Sequence, residues 1–200
     1  ISTGKPTTYR YLFADLLTNS ILAELPMTGV SFTQQLNTAG TFIGHILLSG
    51  VNSTQMNVAN ATIPMRTAVY IDRNGVLVWG GIIWGREYNS KTQTLTLQGR
   101  EFISYFERRR ITSTSVYNNV DQLYIAQQVI AGAQAATNGN IGCLYNQDAG
   151  STSTSGVNVS RTYYSYELKT VLSAVQDLSK QNGGFDFEVS VYYDGSGNPA

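Results

Sequence analysis

The sequence predicts a mainly β fold with an α+β second part: a small closed β-barrel over residues 1–100, then a helix-containing α+β region over 101–200. Three observations carry that prediction. Apolar and polar residues alternate at period two through much of the first hundred positions. Asn74-Gly75 separates two apolar runs, the strongest short-range hairpin signal. After Gly99 the apolar spacing changes to three and four.

The elements follow in order. Thr8 to Leu17 and Ile21 to Leu25 flank the polar Thr18-Asn19-Ser20 and read as an opening hairpin. Gly29 to Leu36 alternates, Asn37 to Gly40 breaks the run, and Thr41 to Leu48 resumes it. That strand sets Phe42, Ile46 and Leu48 on one face and Ile43, His45 and Leu47 on the other. Residues 49–65 read as a polar loop. Thr67 to Asp72 and Val76 to Trp84 flank Asn74 and Gly75, whose residue types tolerate the positive φ of a type I′ turn. Asn89-Ser90-Lys91 then leads to Gln93 to Gln98, completing a meander. Val76 to Trp79 is apolar on both faces, so this strand is expected to be central and covered on both sides. Gly80 and Gly81 remove two side chains mid-strand, the mark of a bulge or barrel corner. About six strands with short turns favour closure over an open sheet.

In the second half, Glu101 to Arg109 is expected to be a short helix with Phe102, Tyr105 and Phe106 on one face. Asn119 with Gln122 forms a capping-box pattern ahead of a stripe of Leu123, Ala126, Ile130 and Ala133. Residues 137–161, including the Gly150 to Gly156 tract, read as a loop. A third helix is expected with Ser165 as cap, a stripe of Leu168, Val171, Leu172, Val175 and Leu178, and an end at Asn182-Gly183-Gly184. Phe185 to Tyr193 alternates cleanly and reads as a strand running into the turn Asp194-Gly195-Ser196-Gly197. A strand with no return partner is hard to stabilise alone. The chain is therefore expected to continue past residue 200 or to borrow pairing from another chain.

Composition narrows the function. The 13 basic residues balance 13 acidic ones, which argues against bulk attraction to nucleic acid or anionic lipid. Charged residues make up 13% of the chain, against roughly 25% in a typical domain. Ser, Thr, Asn and Gln together number 66, so the surface is mostly neutral and polar. A single Cys and a single His exclude an internal disulfide and a zinc site built on several of either. The longest apolar run is too short to span a bilayer.

Candidate chemistry is sparse. Asp186 and Glu188, two apart, could act as acid and base, but the wet side of an amphipathic strand accounts for them equally. His45 lies in an apolar strand and reads as a hydrogen-bonded core or barrel-lining residue. No Gly-x-Ser-x-Gly elbow, P-loop or dinucleotide fingerprint occurs. No catalytic set, metal site or cofactor is expected. Arg108-Arg109-Arg110 is the one dense basic run, open to phosphate or to a salt-bridged subunit contact. The sequons at Asn52, Asn60 and Asn158 fit chance in so Asn/Ser/Thr-rich a chain. Tyr9, Tyr11, Tyr70, Trp79, Trp84 and Tyr88 suit a sugar-binding face or a protein contact.

The stretches Ile21-Leu-Ala-Glu-Leu-Pro-Met-Thr-Gly-Val-Ser-Phe, Arg66 to Trp84, and Leu97-Gln-Gly-Arg-Glu-Phe-Ile-Ser-Tyr-Phe-Glu-Arg-Arg resemble minor tail proteins of long-tailed phages, especially those of actinobacteria. Such proteins are similar to the baseplate hub family. The resemblance implies a tube-like β-barrel domain, an α/β hub domain and a homotrimeric ring. That ring would join the distal tail protein to the tip, near the tape measure protein, with DNA passing through the lumen. On this reading Asn74, Gly75, Trp79, Gly80, Gly81 and Trp84 are architectural. Phe102, Tyr105, Phe106, Arg108, Arg109 and Arg110 are expected at an inter-subunit or inter-domain contact. A carbohydrate-binding module for cell-wall attachment is the alternative.

Overall fold

The computed structural model describes residues 6–50, 56–145 and 154–200; Asn52 and the Gly150 to Ser153 part of the expected loop lie outside them. The chain forms two compact units. The first comprises the chain up to Gln35, Ala39–Phe102 and Val189–Ala200; the second comprises Leu36–Thr38 and Ile103–Glu188. The polypeptide thus leaves the first unit after Phe102 and returns to it at Val189, where a single division at residue 100 was expected.

The first unit is one antiparallel sheet of seven strands. They are β1 (Tyr9–Asp15), β2 (Ile21–Glu24), β3 (Thr28–Phe32), β4 (Thr41–Leu47), β5 (Thr67–Arg73), β6 (Val76–Asn89) and β7 (Thr94–Glu101), in the order β2-β1-β5-β6-β7-β4-β3. The edge strands β2 and β3 are consecutive in the chain, separated by Leu25-Pro26-Met27. Laid flat, seven strands at about 4.8 Å spacing would put the edges about 29 Å apart. The chain from Glu24 to Thr28 reaches at most about 15 Å. The sheet must therefore roll until its edges approach. Following the antiparallel pairings around it, β2 and β3 run in the same direction, like one strand bent at Pro26. Its first half pairs with β1 and its second half with β4.

No ladder joins β2 to β3 among the described residues, so the expected closed barrel is replaced by a rolled sheet whose seam is bridged by the chain itself. Pro26 has no N–H to give to a ladder, and Leu25 and Met27 turn inward as buried residues. Phe13, Phe42, Ile46, Val69, Ile71, Trp79, Ile83 and Leu97 fill the interior with them. The stretch read as a polar loop supplies one more piece: α1 (Val58–Ala61) buries Val58 and Ala61 against the same core. Among the described residues this interior is filled by packed side chains, as in small rolled sheets.

β6 is the central strand, as expected, but not all of it is covered. Val76, at the turn, is 62% exposed, while Leu77 and Trp79 to Ile83 are buried. The bulges fall elsewhere than on the glycine pair. Opposite Ile71 and Asp72 stand Trp79 and Leu77, which leaves Val78 extra; opposite Gly99 and Gln98 stand Ile83 and Gly85, which leaves Trp84 extra. Gly80 and Gly81 pair regularly with Tyr70 and Val69. They are glycines because of close approach. A Cβ on Gly81 would lie 2.3 Å from the Arg100 carbonyl oxygen, and one on Gly80 would lie 2.6 Å from Val191 Cγ1.

The alternating stretch from Phe185 to Tyr193 is not a ladder strand. Its side chains alternate between half-buried and exposed, but its backbone enters no sheet. In the first unit its end turns at Asp194, whose carboxylate accepts from the amides of Ser196 (2.9 Å) and Asn198 (2.8 Å). Tyr192 and Ala200 then exchange two backbone bonds of 3.0 and 2.8 Å, so a short return does exist.

The second unit holds α2 (Tyr105–Arg108), β8 (Ser115–Asp121), α3 (Gln122–Ala135), β9 (Asn158–Tyr163) and α4 (Val171–Ser179). The antiparallel pair β8–β9 stands where a helix lead-in and a loop were expected. Asp121 caps α3, accepting from the Leu123 amide at 2.9 Å. Asn119 sits instead in β8 at φ 52°, beside a bulge. The buried stripe of α3 is Gln122, Ile125, Ala126, Val129 and Ala133, so Leu123 and Ile130 face away from the centre of the core. α4 begins later than expected. Thr170 caps it through the Ser173 amide (3.2 Å), and Leu168 is exposed at φ 46° while Val171, Leu172, Val175 and Leu178 are buried.

Candidate functional site

Asn74 and Gly75 adopt φ of 57° and 88°, as a type I′ turn demands. The turn is also an anchor. Asn74 Oδ1 accepts from the Thr8 amide at 2.9 Å, and the Gly75 amide donates to Asp72 Oδ1 at 2.8 Å. Asp72 is buried, and its other oxygen accepts from the Tyr193 hydroxyl at 2.5 Å. Burial, reinforced by that carboxylate, pushes the Tyr193 phenol up to about 12.

Trp79 is an interior residue at 1% exposure, stacked on Phe42 at 5.3 Å with its indole N–H donated to the Thr33 carbonyl at 3.0 Å. Trp84, at its bulge, is half-buried. Phe102, Tyr105 and Phe106 are buried within the chain. Tyr105 donates to the Gly139 carbonyl at 2.7 Å, and the Arg109 guanidinium lies 4.5 Å over its ring and donates to its hydroxyl. Arg109 therefore belongs to the local packing of the second unit. Arg108 and Arg110 remain exposed, Arg110 donating to the Leu168 carbonyl at 3.1 Å. Of the basic run, Arg109 is half-buried and Arg108 and Arg110 are exposed.

The rival constellations fare as follows. Asp186 Oδ1 accepts from Asn37 Nδ2 at 2.6 Å, which gives that carboxylate a structural partner. His45 is half-buried on the sheet face opposite Phe42 and Ile46, with Nδ1 3.0 Å from Thr96 Oγ1. It is hydrogen-bonded as expected but does not line the core. Of the six rings considered for a sugar face, Tyr70 and Trp79 are buried, while Tyr9 and Tyr88 are exposed. An exposed aromatic pair does occur in the second unit: Tyr164 and Tyr166 stack at 5.2 Å. Among the described residues no three His, Cys, Asp or Glu side chains gather as a metal site would need, and no helix is long and apolar enough to cross a membrane.

Sequence reasoning missed Asn37. At φ 61° it binds Phe187 twice, donating its N–H to the carbonyl (2.9 Å) and accepting from the amide on Oδ1 (2.8 Å). It also donates to Asp186, and its carbonyl accepts from Gln176 Nε2 at 2.8 Å. An Asn in a break between strands was the available signal, since Asn tolerates the left-handed region.

No protein-family model matches the chain, and no curated protein sequence does. Among solved structures, it is similar to the 43 kDa tail protein of prophage MuSo2 from Shewanella oneidensis, at 16% identity and a TM-score of 0.45 over 96% of this chain and 53% of that one. It is also similar to a tail protein from Neisseria meningitidis MC58, at 15% identity and a TM-score of 0.34 over 63% of this chain. The chain spans 53% and 29% of the lengths of those two proteins.

Proposed function

We propose that the chain is a structural component of a phage tail, acting at the tail tip as a hub or adaptor ring of three copies. In that ring it would join the distal tail protein to the tip-side proteins and the tape measure protein, leave a passage for DNA, and perform no chemistry of its own. One observation carries this reading. The stretches that resemble minor tail proteins fall largely on the elements that roll the first unit: 21–32 forms the bent edge strand β2–β3, 66–84 forms β5 and the front of β6, and 97–101 ends β7 before 103–109 enters the second unit through α2. Because the interior of the first unit is filled, a passage would lie between copies and not within one protomer. A neutral wall rich in Ser, Thr, Asn and Gln would let DNA move without the counterion-release affinity of a basic lining.

Negative-stain images of the purified chain test the reading. Rings of three copies around an open channel support it; isolated single particles, or a ring with a strongly basic channel wall, refute it. A second reading, a carbohydrate-binding module for host cell-wall attachment, is favoured by the exposed Tyr164–Tyr166 stack. It requires retention on cell-wall polysaccharide that Tyr166→Ala abolishes.

A further inference from the structure

Two short stretches of the second unit present open strand edges of opposite charge. In the first, Phe187 directs both its N–H and its carbonyl at Asn37. In extended chain, neighbouring residues point these groups to the opposite edge. The backbone groups of Asp186 and Glu188 therefore face away from Asn37, and none of them bonds to the backbone of another described residue. In the second stretch, the Ile111 amide donates to the Lys169 carbonyl (2.9 Å) and the Val171 amide to the Arg109 carbonyl (3.0 Å). That fixes one edge of 109–111 and turns the N–H and C=O of Arg110 to the other, where no backbone partner meets them. The exposed side chains on the two stretches are opposite in charge: Asp186 and Glu188 on the first, Arg110 on the second, with Arg108 ending α2 just ahead of it. No hydrogen bond or ion pair joins Glu188 to Arg110 within the chain.

We infer that these edges pair between copies, the 186–188 edge of one protomer against the 109–111 edge of the next, with Glu188 facing Arg110. The inference rests on the ring proposed above and names the contact that would close it. Charge selects this arrangement. Either edge paired with itself would set like charges opposite one another, which destabilises a strand pair. Only the unlike pairing is attractive, and it is head-to-tail, the type of contact that generates rings. Exposed ion pairs contribute little affinity each, but they decide which faces meet.

Sedimentation of the full chain tests this with Glu188→Lys, Arg110→Glu and the double variant; Asp186 is left intact because it serves Asn37. Each single change should weaken self-association about tenfold, and the double change should restore it to within about threefold of the parent. Self-association that ignores the single changes, or that the double change fails to rescue, overturns this contact while leaving the ring itself standing. A parent chain that stays monomeric overturns both. Hydrogen exchange on the unaltered protein gives a readout independent of variant folding. The Glu188 and Arg110 amides should become protected on assembly, and continued fast exchange at both overturns the pairing.

Discussion

The two units solve the problem of backbone hydrogen bonding in different ways. In the first, ladders do most of it: β1–β5 and β4–β7 pair along nearly their whole lengths, and side chains such as Asp15, Asp72, Asn74 and Asn89 hold backbone amides chiefly at turns and strand ends. In the second, amide and carboxylate side chains act as substitute strands. Asn37 brackets Phe187; Gln134 brackets Cys143 with bonds of 2.8 and 3.0 Å; Gln122 holds the Gly183 carbonyl at 2.6 Å. Asp121 caps α3 with one oxygen and holds the Gly156 amide with the other at 2.9 Å. The neutral polar richness of the chain is therefore partly internal framework. A ladder spreads its energy over many equivalent bonds, whereas a bracket concentrates it in one replaceable side chain.

That contrast can be broken by substitution. The largest effect is expected at Trp79→Ala, which removes a fully buried ring and its hydrogen bond from the first unit at about 3–5 kcal/mol. Chemical denaturation should show the sheet unfolding at much lower denaturant. Gly81→Ala comes next, since its new methyl meets the Arg100 carbonyl; overpacking of this kind costs about 1–3 kcal/mol. In the second unit, Asn37→Ala removes the bracket and strains a left-handed backbone, at about 2 kcal/mol. Asn37→Gly should recover only the backbone part. If both variants melt like the parent, the bracket description of the second unit is wrong.

Smaller effects sharpen the picture at the Asp72 anchor. Tyr193→Phe takes one donor from a buried carboxylate and should cost about 1–2 kcal/mol. The same pair predicts a pH dependence. A phenol raised in the folded state stabilises the fold fully below its unfolded value near 10, and that contribution is lost as pH rises through about 12. The parent should therefore lose stability between pH 10 and 12 more steeply than Tyr193→Phe. At the acid end, burial pushes the Asp15 carboxyl up, but the Thr18 and Leu17 amides and Arg66 outweigh it and leave the group low. Its contribution is present above the unfolded carboxylate value and fades as pH falls through the lower folded one. Asp15→Asn should flatten that part of the acid limb, as read from melting temperatures.

The same contrast explains what could be read from residues alone. Alternation marked β3 and β4, which have one buried face, while β5 and β6, buried on both faces, were marked by apolar runs flanking the Asn74-Gly75 turn. The closed barrel expected from the strand count is not found, because no ladder joins β2 to β3 across Pro26, which has no N–H to give. Alternation misled at Phe185 to Tyr193, which runs from the end of the second unit into the first. There the pattern reflects side chains laid down without a ladder, and Asn37, 149 residues from Asp186, supplies the bond that periodicity cannot reveal. The helix stripes were displaced for a related reason: Gln122, a polar residue, is fully buried on α3 because it has Gly183 to bind. The aromatic residues singled out for an inter-subunit or inter-domain contact are buried, and an apolar helical face reads alike in sequence whether it covers a core or a partner.

The most direct measurement for the account as a whole is sedimentation equilibrium of the unaltered chain at low and at high salt. A neutral docking surface predicts a three-copy species that largely persists in high salt, with only the modest weakening that exposed ion pairs cause. A monomer across the whole concentration range, or an oligomer that salt dissolves entirely, would contradict it.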